Sequence, residues 1–332
     1  MKTKSSNKNL HSAKTAKMDE FYTQLSDIEK ELSHYKEHFK RKVVFCNCDD
    51  PRVSNFFVYL SQNFKKLGLK KLITTCYKNQ DADLFSQNKS EKAIYLEYTG
   101  TKNGDKVPSS EEIGIKHLKG DGDFRSPECI ELLKQANIVV TNPPFSLFRE
   151  YVAQLMKYEK KFIIIGDQNA ITYKEIFNLI KENRIRLGVD NFGTKWFEVK
   201  SDYDIATESR KKMENGRKFI SSGRIVWFTN LDIEKHHEDL KLYKRYKGNE
   251  KEYPKYDNYD AINVNRYADI PMDYKGAMGV PITFLDKYNP KQFQIISDSR
   301  YHDGQDFADD INVINGKTLY RRILIKHKKV RK

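Results

Sequence analysis

The sequence predicts an α/β protein built around a parallel, doubly wound sheet. Two observations lead to this prediction: short runs rich in β-branched residues alternate with amphipathic segments, and turn residues separate them. Strands are expected at residues 43–46, 72–77, 138–141 and 162–165, and helices at residues 54–67, 127–135, 146–158 and 172–182, with Pro127 in the first turn of the second helix. A hairpin is expected from Ala93–Tyr98 returning through Ile113–Leu118. At 332 residues the chain exceeds one typical domain, so additions to the core are expected.

Four segments follow one another along the chain. Residues 1–17 are polar and basic with almost nothing to bury, which predicts a disordered N-terminus. Residues 18–40 carry apolar side chains at helical spacing, which predicts an amphipathic N-terminal helix. Residues 41–200 contain the alternating core pattern, and residues 201–332 hold the remaining strands between charge-dense segments.

The charge balance favours a polyanionic partner. Lys and Arg number 60 against 46 Asp and Glu, a formal net charge of +14. Each phosphate that such a surface neutralises releases condensed counterions, which favours nucleic-acid binding. A generally lysine-rich proteome is the alternative explanation. The hydrophobic content of 38% is sufficient for a folded core.

The four cysteines indicate a reducing, cytoplasmic compartment. Cysteines at 46, 48, 76 and 129 do not form a disulfide framework in a chain of this length. Cys46 and Cys48 lack the second cysteine pair or spaced histidines of a zinc site, so no metal is expected. No run approaches the roughly 18 apolar residues of a membrane span, so no membrane partner is expected.

The strongest candidate for chemistry is the loop Asn142-Pro143-Pro144-Phe145, which directly follows the apolar strand 138–141. Both prolines restrict φ to about −65°, which stiffens a loop at a strand end where α/β sheets bind ligands. An exocyclic amine on a base is a poor nucleophile because its lone pair is delocalised. The Asn142 side-chain oxygen and the Pro143 carbonyl could accept its N–H groups and localise that lone pair. Phe145 could stack on a base flipped out of duplex DNA; a loop that merely ends a strand is the alternative.

The methyl group of S-adenosylmethionine (SAM) is the electrophile that suits this loop, and it needs no metal. Asn47, Asp49 and Asp50 stand where the first turn of a cofactor site belongs. Asp123 and Phe124 stand one loop before the candidate loop, and offer a carboxylate and a flat ring to the cofactor's adenine. Ordinary acidic turns are the alternative for both segments.

Five stretches in this order resemble the EcoRI-type adenine-specific DNA methyltransferases. They are VFCNCDDPRVSNF (44–56), LITTCYK (72–78), GDGDFRSPE (120–128), IVVTNPPFSLFREYV (138–152) and NAITYKEIF (169–177). Similarity continues in GVPITFLDKYNP (279–290). The loop alone would also fit RNA, protein-glutamine or cytosine-N4 methyltransferases, whereas the five ordered stretches are more specific.

The resemblance implies a SAM-dependent methyltransferase (Rossmann-like) fold with an added DNA-recognition region. It implies methylation of N6 of a flipped-out adenine in a specific sequence of double-stranded DNA. It assigns Asn142, Pro143 and Phe145 to the target base, and Asn47, Asp49, Asp50, Asp123 and Phe124 to the cofactor. The first turn lacks a glycine-rich pattern, and the second strand ends in Cys76-Tyr77 without an acidic residue. Glu97 remains a distant candidate for binding the cofactor ribose.

DNA contacts are expected in the segments 201–260 and 300–332, where Lys, Arg and Tyr cluster. The candidate DNA-binding residues are Arg210, Lys211, Lys212, Arg217, Lys218, Lys244 and Arg245. A solvated surface is the alternative for each cluster. A cognate restriction endonuclease acting on the same site is a further candidate partner. The other functional hypotheses are a non-catalytic DNA-binding protein on a methyltransferase scaffold and an RNA or protein amino-group methyltransferase.

Overall fold

The computed structural model describes residues 22–77, 92–100, 109–199, 208–302, 305–306 and 311–329. The chain divides into two compact units, each made of two chain segments. The first unit contains the residues up to Gln168 and Phe192–Leu231, and the second contains Asn169–Asn191 and the residues from Asp232 onward. This division differs from the predicted boundary at residue 200. The reason is that the last strand of the first unit's main sheet, Ile225–Thr229, comes after an inserted antiparallel segment.

The main sheet of the first unit is mixed, with a parallel centre. Its strands are β1 (Val43–Asn47), β2 (Lys71–Cys76), β3 (Ile94–Tyr98), β4 (Lys116–His117), β5 (Ile138–Thr141), β6 (Lys161–Asp167) and β7 (Ile225–Thr229). They lie in the order β4-β3-β2-β1-β5-β6-β7. β2, β1, β5 and β6 run parallel to one another. β3, β4 and β7 pair antiparallel with their neighbours. The predicted α/β class is therefore confirmed, with antiparallel strands flanking the parallel centre.

The central strands are almost entirely apolar because they are buried on both faces. Every residue of β1 and of β5 is buried, although successive side chains point to opposite faces. Parallel strands covered on both sides consist of near-continuous apolar, β-branched residues, which is the pattern that predicted them.

Some of the helices begin at local capping signals. They are α1 (Leu25–Leu32), α2 (Lys36–Phe39), α3 (Asn55–Gln62), α4 (Phe64–Leu67), α5 (Ser110–Ile113), α6 (Pro127–Gln135), α7 (Phe148–Lys157) and α8 (Lys174–Lys181). The Ser54 side chain caps α3 by accepting hydrogen bonds from the amides of Phe56 and Phe57. Pro127 occupies the first turn of α6, as predicted.

The N-terminal helix is shorter than the predicted span of 18–40. It begins at Leu25, because Tyr22–Thr23 form a strand that pairs with Phe197 and Glu198. The backbone groups of that strand bond to a sheet instead of continuing the helix toward the N-terminus. Residues 1–17, predicted to be disordered, lie outside the described residues.

A small antiparallel side sheet joins Tyr22–Thr23, Lys195–Val199, Arg217–Ser222 and Lys211–Glu214 in that spatial order. A two-residue turn at Asn215-Gly216 connects its last two strands, and both residues have positive φ angles of 50° and 74°. Such a turn matches the right-handed twist of a hairpin. We call the segment Lys211–Ser222 the basic hairpin.

The second unit is organised around its own sheet. Its strands are Ala261–Asn263, Ala277–Pro281, Arg322–His327, Phe293–Asp298, Tyr301–His302 and Gln305–Asp306, in that spatial order. The short pair Val313–Ile314 and Lys317–Thr318 forms a separate ribbon, and Arg186–Leu187 is a two-residue strand within Asn169–Asn191. Tyr256, Ala277 and Leu324 belong to a buried cluster. In the described part of the chain, no helix is long and apolar enough to cross a membrane.

Candidate active site

The site lies where the strand order of the main sheet reverses. From β1 the chain passes to β2 on one side, and it later returns to β5 on the other side of β1. Because these strands are parallel, their carboxyl ends share one edge, and α/β sheets bind ligands in the crevice at such a reversal. The sheet therefore brings the turn after Asn47 and the loop that begins at Asn142 to the same edge.

The turn after β1 is held by hydrogen bonds to β2 and α3. Cys48 adopts a left-handed conformation with φ of 73°, which reverses the chain without a glycine. The amide of Asp49 donates to the Thr75 carbonyl at 2.9 Å, and Thr74 Oγ1 donates to the Asp49 carbonyl at 2.6 Å. Ser54 Oγ donates to Asp49 Oδ1 at 2.8 Å. These bonds explain how the turn forms in the absence of a glycine-rich sequence.

The hydroxyl of Thr141 connects this turn to the candidate catalytic loop. Thr141 Oγ1 lies 2.5 Å from Asp49 Oδ2 and also contacts the carbonyl oxygen of Asn47. The Asn47 side-chain oxygen accepts a hydrogen bond from Thr75 Oγ1 at 2.9 Å. All of these side chains are buried. Three of the predicted strand ends are thus joined by hydrogen bonds at the residue that precedes Asn142 in the chain.

The loop itself leads from β5 into a helix through a rigid turn. Asn142 is partly exposed, its Oδ1 atom is buried, and Pro143 is buried. The amide of Leu147 donates to the Pro144 carbonyl at 3.0 Å and closes a short 3₁₀ turn over Phe145–Leu147 before α7 begins. The Phe145 ring is partly exposed. The structure thus places Asn142, Pro143 and Phe145 together in one short connection between β5 and α7.

A second loop reaches the same edge from the side of β2. Gly122 has a φ of 79°, and a Cβ atom there would lie 2.7 Å from the Cys76 carbonyl oxygen. Phe124 is buried, and its ring meets the Tyr151 ring edge to face at a centroid distance of 5.0 Å. Gln154 Nε2 donates to the Phe124 carbonyl at 2.8 Å. Phe124 therefore belongs to a packed apolar wall against α7.

Asp123 is held by a charged network at the rim of this loop. Its carboxylate accepts hydrogen bonds from Arg125 Nε at 2.9 Å and Nη2 at 2.7 Å, and Arg125 also pairs with Glu150 at 2.9 Å. The hydrogen bonds from Arg125 lower the pKa of Asp123. Asp123 is therefore ionised at neutral pH, and its carboxylate oxygens can accept hydrogen bonds.

Asp50 stabilises its own turn through Arg52, and the thiol of Cys48 and the hydroxyl of Tyr151 near Asp49 are neutral. The Asp50 carboxylate accepts from Arg52 Nη2 at 2.5 Å and from Arg52 Nε at 2.9 Å. Burial raises the pKa values of the Cys48 thiol and the Tyr151 hydroxyl, and the nearby Asp49 carboxylate contributes to both shifts. The protonated forms of both groups are thus favoured next to a buried carboxylate.

The structure does not bring Glu97 to this edge. Because β3 runs antiparallel to β2, Glu97 pairs with Ile73 and bonds to Lys71 at 2.8 Å, near the amino end of β2. Sequence reasoning also missed Thr141, Thr75 and Tyr151. In the sequence Thr141 is one more β-branched residue of a strand, and only its position next to the loop indicates a further role.

The predicted DNA-binding residues fall into two groups. Arg210, Lys211, Lys212, Arg217 and Lys218 lie in or next to the basic hairpin of the first unit. Lys244 and Arg245 are exposed residues of the second unit.

Comparison with known proteins identifies the family of this chain. The chain belongs to the family described as adenine-specific methyltransferase EcoRI, which it matches over residues 9–328. It is 54% identical to the Type II methyltransferase M.EcoRI of Escherichia coli, across 100% of both chains. It is 39% identical to the Type II methyltransferase M.MgeORF184P of Mycoplasma genitalium, over 96% of this chain and 98% of the relative. It is 38% identical to M.MpnI of Mycoplasma pneumoniae, over 95% and 97%. No solved structure matches it.

Proposed function

We propose that this chain transfers a methyl group from SAM to N6 of an adenine flipped out of a specific sequence in duplex DNA. The observation that carries the proposal is the rigid loop Asn142-Pro143-Pro144-Phe145, bonded through Thr141 to the turn after β1. The adenine specificity follows from the family, and the named relatives are Type II methyltransferases.

The groups at this edge fit the chemistry of SAM, which presents amino and hydroxyl donors and an apolar adenine. Asn47 and Asp49 line the turn after β1, Asp50 braces it, and Asp123 offers an ionised carboxylate at the rim. Phe124 belongs to an apolar wall suited to a flat ring. When bound, the cofactor supplies an electrophilic methyl group.

The chain's own contribution is to position and polarise the target amine. The Asn142 side-chain oxygen and the Pro143 carbonyl accept its two N–H groups, which directs the nitrogen lone pair toward the methyl donor. Phe145 stacks on the flipped base and stabilises its extrahelical position. Both acceptors are fixed before the substrate arrives, so little reorganisation is needed during the reaction.

Asn142→Ala tests the proposal directly. The variant should lose at least about 100-fold in tritium transfer from labelled SAM to duplex DNA, because one positioned acceptor is removed. Asn137→Ala, at the opposite end of β5, is the matched control and should retain transfer. If the wild-type protein binds SAM and transfers the methyl group to RNA or protein but not to DNA, the proposed DNA substrate is wrong. Salt-dependent DNA binding without calorimetric SAM binding would instead support a non-catalytic scaffold.

The proposed partner is double-stranded DNA, with the basic residues of both units contacting its phosphates. A cognate restriction endonuclease at the same site is a further proposed partner, since the relatives are of Type II. The four cysteines are free thiols, which supports the proposal of a reducing, cytoplasmic location.

A further inference from the structure

The basic hairpin emerges at the edge of the sheet that carries Asn142. Three residues after the hairpin ends at Ser222, β7 begins at Ile225, which pairs with Asp167 at the carboxyl end of β6. The amide of Gln168 donates to the Arg224 carbonyl at 2.5 Å and ties the connection to that end. Because β6 is parallel to β5, the hairpin returns to the main sheet at the catalytic edge.

One face of the basic hairpin carries the side-chain contacts that stabilise the hairpin. Lys212 pairs across the hairpin with Phe219, and its ammonium lies 5.1 Å from the Phe219 ring centroid and 5.0 Å from that of Trp196. Lys212 also bonds to Glu214 at 2.7 Å. A cation held by two rings and a carboxylate stiffens the ribbon. Lys212 is therefore a positioning residue, because its ammonium already contacts two rings and a carboxylate.

The opposite face has a different character. Alternation along the strands places Lys211, Met213 and Lys218 together on it, with Met213 directly opposite Lys218. On the same face, Phe197 and Val199 of the neighbouring strand are buried, whereas the Met213 side chain is 65% exposed. The outer part of the hairpin thus extends beyond the packed core and presents an apolar side chain between two lysines.

The positive charge and the two-stranded form of the basic hairpin match the major groove of duplex DNA. Residues 210–218 contain five Lys and Arg against one Glu, a net charge of +4 within nine residues. The major groove of B-DNA is wide enough to admit a two-stranded β-ribbon, and it displays thymine methyl groups that apolar side chains contact. A duplex groove therefore fits both the cations and the exposed methionine.

We propose that the basic hairpin enters the major groove beside the target adenine, with Met213 against base edges and Lys211 and Lys218 on the phosphates. The inference rests on the DNA substrate proposed above. It makes Met213 a specificity-determining residue and separates its role from that of Lys212.

Photochemical cross-linking tests the placement. The recognition site is first located by mapping modified adenines in DNA from cells that express the chain. Thymines within that site are then replaced by 5-iodouracil, whose iodine occupies the position of the major-groove methyl group. Irradiation of the complex should give an adduct in the peptide that contains residues 211–218. An adduct only outside the hairpin would overturn the proposal.

Kinetics provides the second test. Met213→Ser changes an exposed residue and should raise the KM for cognate DNA about tenfold, comparable to the loss of one base-pair contact. Lys211→Gln with Lys218→Gln should reduce the slope of log affinity against log salt by about 2. The control, Lys65→Gln with Lys66→Gln, removes two exposed charges on α4, which precedes the amino end of β2, and should leave both values unchanged.

The outcomes separate this inference from the function on which it rests. If the wild-type protein transfers no methyl group to DNA, the proposed function fails. If it methylates DNA while the hairpin variants keep the wild-type KM and salt slope, only the hairpin assignment fails.

Discussion

A single hydroxyl group joins the two halves of the candidate site. Thr141 Oγ1 reaches the Asp49 carboxylate and the Asn47 carbonyl, which belong to the turn after β1. Thr141 also immediately precedes Asn142 in the chain. Any displacement at this threonine would therefore shift the candidate catalytic loop and the proposed cofactor turn relative to each other.

Thr141→Val should separate this positioning role from simple stability. The change keeps the shape and removes a donor to a buried carboxylate, which should cost about 1–3 kcal/mol of unfolding free energy. Thr229→Val removes a comparable buried bond, from Thr229 Oγ1 to the Phe162 carbonyl at 2.7 Å, at the far end of β6. Denaturation should show a lower unfolding free energy in both variants, and single-turnover methyl transfer measures their rates. Only Thr141→Val should have a lower rate per folded molecule, and an equal rate in both would contradict the role.

The two phenylalanines assigned to the site should behave differently. Phe145 is partly exposed on the loop, so Phe145→Ala should weaken methyl transfer more than it weakens SAM binding. Phe124 is buried against Tyr151, so Phe124→Ala should cost about 3–5 kcal/mol of stability as well. Calorimetric SAM affinity and single-turnover rates measure the two effects. Equal loss of affinity and rate in Phe145→Ala would show that the ring does not serve the target base.

At the scale of elements, the loop that carries Asp123 depends on its contact with β2. Gly122→Ala would place a Cβ atom 2.7 Å from the Cys76 carbonyl at a φ of 79°. We expect a loss of about 1–3 kcal/mol in stability and weaker SAM binding, because the loop must move away. Gly114→Ala is the control: its φ is 101°, but its added Cβ meets open space. Unfolding and calorimetric titration should show strain in both variants and weaker SAM binding only in Gly122→Ala.

At the scale of the whole molecule, the Asp123–Arg125 pair links stability to pH. The pKa of Asp123 is lowered by Arg125, so its contribution is present above the unfolded pKa of about 4 and is lost as pH falls through the lower folded value. Arg125→Met should therefore cost up to about 1 kcal/mol at pH 7, since the pair is partly exposed.

Urea denaturation across pH 2–7 measures this effect. The difference between wild type and Arg125→Met should shrink toward zero at the acid end. Lys134→Met removes the exposed pair with Glu131 on α6 and should change stability by less than about 0.5 kcal/mol at any pH. A constant difference for Arg125→Met from pH 7 to pH 2 would show that packing, not charge, accounts for its effect.

Much of the architecture was predictable because it is encoded locally. Apolar β-branched runs identified β1, β2, β5 and β6, and Ser54 and Pro127 marked helix starts. The predicted resemblance to the EcoRI-type adenine-specific methyltransferases is confirmed by the family match over residues 9–328. The helix predicted at 18–40 was too long, because Tyr22–Thr23 pair with a strand more than 170 residues away, which local periodicity cannot detect.

The sequence by itself determined the strand ends, the stiff loop at Asn142 and the family. Those properties depend on neighbouring residues and on ordered motifs. Only the tertiary structure decided that Thr141 bonds to Asp49 and that Glu97 lies near the amino end of β2, away from the candidate site. It also decided that Lys212 and Met213 occupy opposite faces of the basic hairpin. These relations depend on strand order, direction and register. Long-range pairing sets all three, because each strand must find partners that satisfy its backbone hydrogen bonds and bury its faces.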